Sequence, residues 1–343
     1  MTSHILRVGI TAVFDPQVTP HGRTFLRALA TARNHLPELG RVQFVFGDDA
    51  AHPEVARAVA QRFVAEKLDL VIGHFSSDAA LAVLDIYADA GIALLNPAAT
   101  ANAVTDGAGV YRVCPPDGAL AECLLRLARD QGWRRLRLRA DESAHGRAIA
   151  TAVRSAAAGH GIEIAQDERV CAAVFAGRFA ASAEHVAQHV ETCPDLPLVL
   201  TDDAVTPQMP GRVGLRAPIY AVGFRPAESY PEAQRVCRQH ALLFGTQPET
   251  YFLESYAAFQ ILAALVVTAS MERVANRLDR GNFDTVLGRL RFVEGDAAGL
   301  GHAFWSLGEA GFSPLSDDAT AVAAAAQHSS THPSFIAAER IRS

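Results

Sequence analysis

The stretch from Val71 to Thr105, VIGHFSSDAALAVLDIYADAGIALLNPAATANAVT, constrains the fold most, because it contains two strand-to-helix turns in succession. A short apolar run is followed by Gly73-His74-Phe75-Ser76-Ser77, where the serines stand at the expected start of a helix. A second apolar run, Ile92 to Leu95, ends in Asn96-Pro97-Ala98-Ala99-Thr100. In an open parallel sheet, ligands bind outside the carboxyl ends of the strands. We therefore predict that the two turns lie side by side and grip a carboxylate or an amide.

The rest of the chain alternates strand and helix patterns, which predicts repeated βα units. The predicted strands are Arg7–Ala12, Val42–Phe46, Leu68–Ile72, Ile92–Leu95, Arg135–Arg139, Gly161–Ala165, Leu198–Thr201, Ile219–Val222 and Leu242–Gly245. The predicted helices are Thr24–His35, one from Pro53, one from Ser76-Ser77 through Tyr87, Ala119–Asp130, Gly146–Ala158, Phe179–Glu191 and Tyr251–Ala275. Pro115-Pro116-Asp117-Gly118 interrupts the pattern, so the chain is predicted to cross to a second lobe there.

Length and charge limit the function. A chain of 343 residues, of which 50% are hydrophobic, can bury two cores of ordinary domain size. The net charge of −6 and the pI near 6.1 argue against a nucleic-acid partner, because no basic stripe gathers phosphates. No apolar run reaches the roughly 20 residues of a membrane span. We therefore expect a two-lobe protein without its own membrane anchor.

Four motifs resemble those of the branched-chain amino-acid binding proteins, which have the type I periplasmic binding protein fold. They are GHxxS at Gly73 to Ser77, DIYADAGI at Asp85 to Ile92, PAAT at Pro97 to Thr100 and DD-x3-P at Asp48 to Pro53. Amide-sensing and urea-binding relatives share this pattern, and the resemblance covers about Leu6 to Leu315. It implies an α/β fold of two Rossmann-like lobes with parallel sheets, joined by a three-crossing hinge.

The resemblance also implies a division of the chain. The first lobe is predicted to comprise residues 1–117 and 247–300, and the second lobe residues 118–246 and 301–315. The last residues, 316–343, form an Ala-rich and Ser/His-rich tail with little apolar periodicity, which we expect to be loosely held.

Two turns supply the first-lobe side of the predicted site. In the family, the serine of GHxxS, the first alanine of PAAT and its threonine hold the ligand's carboxylate and amino groups. The corresponding residues are Ser77, Ala98 and Thr100, and we add their neighbours Ser76 and Ala99. The alternative is that these hydroxyls only cap helices.

The opposing side is predicted from weaker matches. Asp117 matches the family's acidic residue at the first crossing, although it could instead cap the helix that follows. His145 stands where the family has an aromatic residue that closes over the ligand. Asp202 and Arg225 look like counterparts of an aromatic residue and of a glutamate that pairs with the ligand ammonium. An arginine would repel an ammonium and attract a second carboxylate; the alternative is a solvated loop arginine.

Other chemistry lacks support in the sequence. Glu184-His185-x3-His189 places two imidazoles on one helix face, but without a third ligand we expect an exposed helix face rather than a metal site. No GxSxG, Walker loop or GxGxxG follows a predicted strand. We therefore predict a non-enzymatic protein without a metal or cofactor.

The predicted compartment rests on the cysteines and the N-terminus. Five widely spaced cysteines suggest reduced thiols. Exported members of the family have a disulfide in the first lobe, at positions that here look like Ala51 and Ser76. The first strand begins by about the fifth residue, without a signal peptide. These features predict a cytoplasmic protein; the alternative is a periplasmic protein whose signal peptide was replaced by Met1.

We therefore predict a binding protein that closes its lobes on an amino acid, a carboxylate or an amide, and that acts as a cytosolic sensor through a regulatory protein. One alternative is the exported component of an ABC transporter, which delivers its ligand to a membrane permease. Another is an enzyme derived from this fold, with His145, Asp202 or Asp203 as acid-base groups. The ligand's identity and the choice between monomer and homodimer stay open.

Overall fold

The computed structural model describes residues 5–167, 169–209, 218–268 and 272–315, which form two seven-stranded sheets and a two-stranded ribbon. The strands are β1 (Leu6–Ala12), β2 (Val42–Asp48), β3 (Leu70–Ile72), β4 (Ala93–Asn96), β5 (Val110–Arg112), β6 (Arg135–Ala140), β7 (Glu163–Ile164), β8 (Ala172–Ala176), β9 (Leu198–Leu200), β10 (Ile219–Phe224), β11 (Phe283–Thr285), β12 (Gly288–Leu290), β13 (Phe292–Val293), β14 (Asp296–Ala297), β15 (His302–Gly308) and β16 (Gly311–Pro314). The α-helices are α1 (His21–His35), α2 (Pro53–Ala65), α3 (Ser77–Leu81), α4 (Leu84–Ala90), α5 (Asp117–Asp130), α6 (Ala144–Ala157), α7 (Phe179–Thr192), α8 (Gln234–Phe244), α9 (Phe252–Val267) and α10 (Val274–Arg280). The predicted tail, residues 316–343, lies outside the described residues.

Each sheet forms the centre of one lobe. The strand orders are β13-β14-β5-β4-β3-β1-β2 and β16-β15-β10-β9-β8-β6-β7. Pairing is parallel from β1 to β5 and from β6 to β10, whereas β13, β15 and β16 add antiparallel edges. Apolar clusters lie on both faces of each sheet, where helices cover them. The predicted α/β fold with two parallel-sheet lobes is confirmed.

Helices α1 and α9 show how apolar patterns set the packing of the first lobe. Phe25, Ala28 and Ala32 recur every three or four residues of α1 and are fully buried. Almost every residue of α9 is buried, as expected for a helix that is apolar around most of its circumference. The two helices meet at Phe25 and Phe259, whose ring centroids are 5.7 Å apart. Helix α9 ends at Val267, earlier than predicted.

The chain after β10 corrects two predictions. The predicted strand Leu242–Gly245 is the end of helix α8, which terminates at Gly245 in the left-handed region with φ of 71°. The apolar run is too short to distinguish the period of a helix from that of a strand. Leu242 is 79% exposed, which a buried strand would not allow. Side chains from Tyr230 to Cys237 join the core of the first lobe rather than the second. We therefore place the second crossing just after β10, instead of near residue 247, and assign α8 to the first lobe.

Strand β8 was missed by the sequence analysis. Its five residues, Ala172–Ala176, are all buried, and it pairs with β6 on one side and β9 on the other. An alanine-rich run of this length carries a weak strand signal. Because the strand is central, its carboxyl end opens directly into the space between the lobes.

The chain crosses between the lobes after β5, after β10 and after β14, as the strand orders require. The loops after β1, β3 and β4 therefore face the loops after β6, β8 and β9. All five cysteines are unpaired. Within the described ranges, we find no helix with the length and apolarity needed to span a membrane.

Candidate functional site

The lobes enclose a cavity of about 220 Å³. Five of the predicted site residues line it, namely Ser76, Ser77, Ala98, Thr100 and His145. The remaining lining residues come from the loops and helix starts around them: Val13, Val18, Thr19, His21, Gly22, Ala51, Phe75, Arg178, Phe179, Ala180, Asp203 and Tyr251. The two predicted turns therefore do face one cavity, and both lobes contribute to it.

The first turn is fixed by a buried network. Gly73 has φ of +139°, and a Cβ there would lie 2.1 Å from the carbonyl oxygen of Thr11, so only glycine fits. His74 Nδ1 lies 2.8 Å from Asp49 Oδ2, and its Nε2 lies 3.0 Å from the hydroxyl of Tyr87. Burial alone would raise the pKa of Asp49, but the hydrogen bond and charge interaction with His74 lower it. This network holds the two serines in place.

Neither serine hydroxyl is used to cap helix α3. Ser76 is the N-cap residue but makes no side-chain capping hydrogen bond. Ser77 Oγ accepts a hydrogen bond from the backbone N–H of Ala101 at 3.4 Å, which links the first turn to the second. Each hydroxyl therefore keeps its proton available for a group in the cavity.

Asn96 builds the second turn. Its Nδ2 donates to the carbonyl oxygen of His74 at 2.9 Å, and its Oδ1 accepts from the backbone N–H groups of Ala98 and Ala99 at 3.0 and 2.6 Å. Ala98 lines the cavity, whereas the side chain of Ala99 packs in the apolar cluster behind the turn. The predicted ligand contact of Ala99 is therefore corrected, because alternate residues of the turn face opposite ways.

Thr100 is anchored through its backbone. Its carbonyl oxygen accepts from the N–H of Asp117 at 2.8 Å and from Arg112 at 3.0 Å. Arg112 is 1% exposed and also forms two hydrogen bonds to the carboxylate of Asp296, at 2.7 and 3.0 Å. The hydroxyl of Thr100 is left to face the second lobe, where it lies 3.0 Å from His145 Nδ1.

His145 lies among three carboxylates at the start of α6. Its Nε2 lies 3.4 Å from Asp202 Oδ1, and its Nδ1 lies 3.7 Å from Asp117 Oδ1. Burial lowers the pKa of His145, but the charges of Asp202, Asp117 and Asp203 outweigh it, and the pKa is raised. The imidazole therefore favours its protonated form more than an ordinary histidine does.

Asp117 and Asp202 stand behind His145 and do not line the cavity, so their predicted ligand-binding role stays a prediction. Both are buried, with 1% and 0% exposure. Burial raises the pKa of Asp117, and burial is also the main cause that raises the pKa of Asp202 to about 6. Asp202 Oδ1 has no hydrogen-bond partner within the described part of the chain. These acids influence the cavity by raising the pKa of His145 and by adding negative charge near the cavity wall.

Asp203 is the carboxylate that lines the cavity. Its Oδ1 lies 2.9 Å from His21 Nε2 and accepts from the hydroxyl of Tyr251 at 3.1 Å, while its Oδ2 accepts from the backbone N–H of Phe179 at 2.7 Å. Burial would raise the pKa of Asp203, but the interactions with His21 outweigh it, and the pKa is lowered. His21 and Tyr251 were not predicted, because neither belongs to a motif.

Arg178 is the arginine of the cleft. It follows β8, and its Nη2 donates to Ser76 Oγ at 2.7 Å and to Asp78 Oδ2 in the first lobe. Asp78 also accepts from the backbone N–H of Ala144 at 3.1 Å, so it binds the second lobe twice. The sequence analysis missed Arg178 because it missed the strand that carries it.

Arg225 lies outside the cleft, which corrects the prediction that it faces the ligand. It follows β10 on the outer surface, is exposed, and lines two outer grooves instead of the cavity. The predicted exposed face of α7 is also corrected. His185 stacks on Phe175 with ring centroids 4.2 Å apart, and His189 Nε2 is bonded to the carbonyl oxygen of Leu196 at 2.7 Å. Among the described residues, no group of three or more His, Cys, Asp or Glu side chains is arranged to hold a metal.

Comparison of the sequence with known proteins gives a partial match. Residues 28–184 match the sequence model of the periplasmic binding protein family. The chain is 35% identical over 79 residues to the Leu/Ile/Val-binding protein homolog 2 of Brucella abortus (strain 2308), which covers 22% of this chain and 21% of that protein. The match thus spans about a fifth of the length of this curated relative.

Comparison of the structure covers nearly the whole chain. An ABC transporter substrate-binding protein from Desulfitobacterium hafniense, in complex with Leu, superimposes with a TM-score of 0.76 at 21% identity, covering 90% of this chain and 99% of that one. A solute-binding protein of an ABC transporter from R. palustris, in complex with benzoate, gives 0.79 at 16% identity, covering 91% and 96%. These likenesses confirm the fold that the GHxxS and PAAT motifs predicted.

Proposed function

Because this chain has the type I periplasmic binding protein fold and matches that family over residues 28–184, we propose that it is a solute-binding protein that closes its two lobes on a small ligand. The observation that carries this proposal is the cavity of about 220 Å³ that both lobes line. Typical ligand pockets measure roughly 300–1,000 Å³, so this one suits a ligand of amino-acid size.

One end of the cavity suits a carboxylate. Ser76, Ser77 and Thr100 present hydroxyl groups there, and Arg178 brings a guanidinium from the opposite lobe. Hydroxyl protons and guanidinium N–H groups donate to carboxylate oxygens, and the bonds to a charged acceptor are the stronger ones. The grip is therefore built from both lobes, so that ligand binding favours closure.

The rest of the wall suits an apolar body. Val13, Val18, Phe75, Ala98 and Phe179 line the cavity beside the hydroxyl groups. When an apolar side chain of the ligand packs against them, its surface is removed from water. This burial contributes about 25 cal/mol of binding free energy for each Å² of apolar surface. We propose that the ligand combines a carboxylate with an aliphatic or aromatic body.

The charges behind the wall favour a ligand that also carries an ammonium group. Asp117, Asp202 and Asp203 surround His145, so three carboxylates share one imidazole and negative charge is in excess there. A bare carboxylate ligand would add another negative charge, whereas a zwitterion brings its own positive one. With Arg225 outside the cleft, the objection to an ammonium drawn from the sequence no longer applies. We therefore propose an α-amino acid with an apolar side chain as the ligand.

An aromatic carboxylate is the second candidate. The rings of Phe75 and Tyr251 both line the cavity, with centroids 5.9 Å apart in an edge-to-face arrangement. Such a pair can receive a third ring. The solved R. palustris protein of similar fold holds benzoate.

Calorimetry with three compounds separates these ligands. L-leucine should bind, and 4-methylpentanoate, which is leucine without its amino group, should bind about tenfold more weakly or worse, because a hydrogen bond between charged groups is worth about 1.5–3 kcal/mol. Benzoate binding more tightly than leucine would favour the second candidate. If none of the three binds, the proposed ligand class is wrong.

A double variant tests the grip itself. Ser77→Ala with Thr100→Ala should weaken leucine binding by about 1.5–3 kcal/mol for each lost bond, while the free energy of unfolding falls by about 1–3 kcal/mol, the cost of leaving the buried N–H of Ala101 without its acceptor. Thr151→Ala with Thr192→Ala is the matched control, because these exposed hydroxyls bond only to carbonyls of their own helices. Equal leucine affinity in both double variants would remove the grip hypothesis.

We propose a biological role from the same comparison. The similar solved structures are substrate-binding proteins of ABC transporters, which supports delivery of ligand to a membrane permease as the role of this chain. The cytosolic-sensor role and the cytoplasmic location stay predictions. The absence of enzymatic activity is part of the proposal, and recovery of unchanged leucine after prolonged incubation, measured by NMR, tests it.

A further inference from the structure

We propose that a groove on the outer surface of the second lobe, beside the hinge, binds a small multivalent oxyanion, either a phosphate or a polycarboxylate. The groove has a volume of about 480 Å³, and none of its lining residues lines the cavity between the lobes. Its walls come from α5, from His160 in the turn after α6 and from the chain beside the second and third crossings. This inference does not depend on the proposed function.

Three arginines give the groove its charge. Arg126 and Arg129 lie three residues apart on α5, and Arg225 follows β10; all three are exposed. The groove's acid, Glu122, is paired with His160 at 2.8 Å. The groove therefore carries excess positive charge, although the chain as a whole has a net charge of −6.

The three guanidinium groups have N–H donors that are not used in strong hydrogen bonds within the part of the protein that the structure describes. Arg126 Cζ lies 5.5 Å from the centroid of the Phe304 ring, and Arg126 Nη2 donates to the sulfur of Cys123 at 3.3 Å, a weak acceptor. Arg129 Nε lies 3.5 Å from Asp130 Oδ1, a contact between exposed groups. Within the described ranges, Arg225 forms no ion pair with an acidic residue.

A buried histidine supplies the independent sign of a ligand. His302 lines the groove and is 9% exposed, and neither of its ring nitrogens has a hydrogen-bond partner among the described residues. Burial lowers its pKa to about 3, so the ring is neutral and carries one N–H. A buried N–H without an acceptor is costly. An oxygen of an anion held by the arginines would supply that acceptor.

The chemistry of the donors selects the class of ligand. Guanidinium groups present flat forks that match the oxygens of carboxylates and phosphates. Three of them around one groove favour an anion with more than one charge. The groove also lies close to the cleft, because the ring of Phe224 is 5.7 Å from that of His302 and 5.2 Å from that of Tyr251.

Calorimetry on the full chain at constant ionic strength tests the proposal, with inorganic phosphate, citrate and acetate as probes. We expect saturable binding of phosphate or citrate but not of acetate, and the tighter of the two identifies the source. Arg126→Gln with Arg225→Gln should weaken that binding about tenfold or more. His302→Phe should weaken it by a smaller factor while keeping the ring packed.

The control is Arg147→Gln with Arg154→Gln, which removes the same charge from the exposed face of α6. An equal loss of binding in both double variants would mean general attraction by charge and would overturn the proposal, as would the absence of saturable binding. If the first double variant does not fold, Arg129→Gln alone replaces it, because that side chain is 52% exposed. Leucine binding in the cleft is measured on the same samples, so failure of one site is distinguishable from failure of the other.

Discussion

On the first-lobe side of the cleft, the polar groups behind the ligand grip are hydrogen-bonded, whereas on the second-lobe side the acids and His145 are held mainly by longer ion-pair contacts. Asp49, His74 and Asn96 satisfy one another and the backbone of both turns. Across the cavity, Asp202 Oδ1 and His145 Nε2 are buried 3.4 Å apart, and neither forms a hydrogen bond in the described part of the chain. The polar groups of the first side therefore already have their hydrogen bonds. Those of the second side gain more free energy from an added proton or from hydrogen bonds to a ligand.

The two sides also respond to pH in opposite directions. The pKa of Asp49 is lowered because His74 outweighs the effect of burial, so ionised Asp49 stabilises the fold. The pKa of Asp202 is raised to about 6, chiefly by burial, so ionised Asp202 opposes folding. Ionisation of the two carboxylates therefore has opposite effects on the stability of the fold.

The largest expected effect on stability comes from removing His74 from the network on the first-lobe side. His74→Phe removes the imidazole partner of the buried Asp49 carboxylate and leaves it only the hydrogen bonds from Thr11 and Ala51; removing one member of a buried pair costs up to about 3–5 kcal/mol. Urea denaturation should show a loss of that size in the free energy of unfolding. His52→Phe, at an exposed position near the same loop, should change it by no more than about 1 kcal/mol. A small effect of His74→Phe would mean that the first side is not held by this network.

On the second-lobe side, replacing the buried acid Asp202 by a neutral residue should instead raise stability. Between the ordinary pKa of 3.8 and about 6, the unfolded chain loses the proton of this group before the folded chain does, so the wild type loses stability as pH rises. Asp202→Asn should therefore gain stability relative to the wild type over that range, by on the order of 2 kcal/mol at neutral pH.

Asp49→Asn is the contrast to that variant. The pKa of Asp49 is below 3.8, so its contribution is present above that pH and is lost as pH falls through the folded-state value. Asp49→Asn should lose stability at neutral pH and approach the wild type in acid. Urea denaturation at a series of pH values measures both variants. The same sign for the two at neutral pH would contradict the comparison between the two sides.

The first side could be predicted from sequence because its signals are local. Glycine, serine and threonine sit at fixed distances after apolar strands, and the physics of helix starts places them at one sheet edge. Ser77, Ala98 and Thr100 all line the cavity. The packing of Ala99 away from it depends on the geometry of the turn, which the residue types alone do not specify.

The second side could not be predicted in the same way, because its residues come from separate strand ends. Arg178 depends on β8, whose alanines gave little strand signal, so the arginine that reaches the cleft was overlooked. The resemblance to a glutamate of the family predicts Arg225 in the cleft, although the chain turns outward after Phe224. Asp202 was placed near the site, but its burial behind His145 depends on contacts between residues far apart in sequence.

The smallest expected effect on folding, and the sharpest on function, concerns Arg178, the contact between the two sides. Its side chain is 37% exposed and its partner Asp78 is 19% exposed, so the ion pair should contribute at most about 1 kcal/mol to stability. Arg178→Gln should nevertheless weaken leucine binding about tenfold, because the ligand carboxylate loses a charged donor. It should also increase the radius of gyration of the ligand-free protein in solution scattering, since a contact between the lobes is lost. Arg154→Gln, exposed on the same lobe, is the control for charge. If Arg178→Gln binds leucine as well as that control does, Arg178 only holds the lobes together, and the carboxylate grip belongs to the first lobe alone.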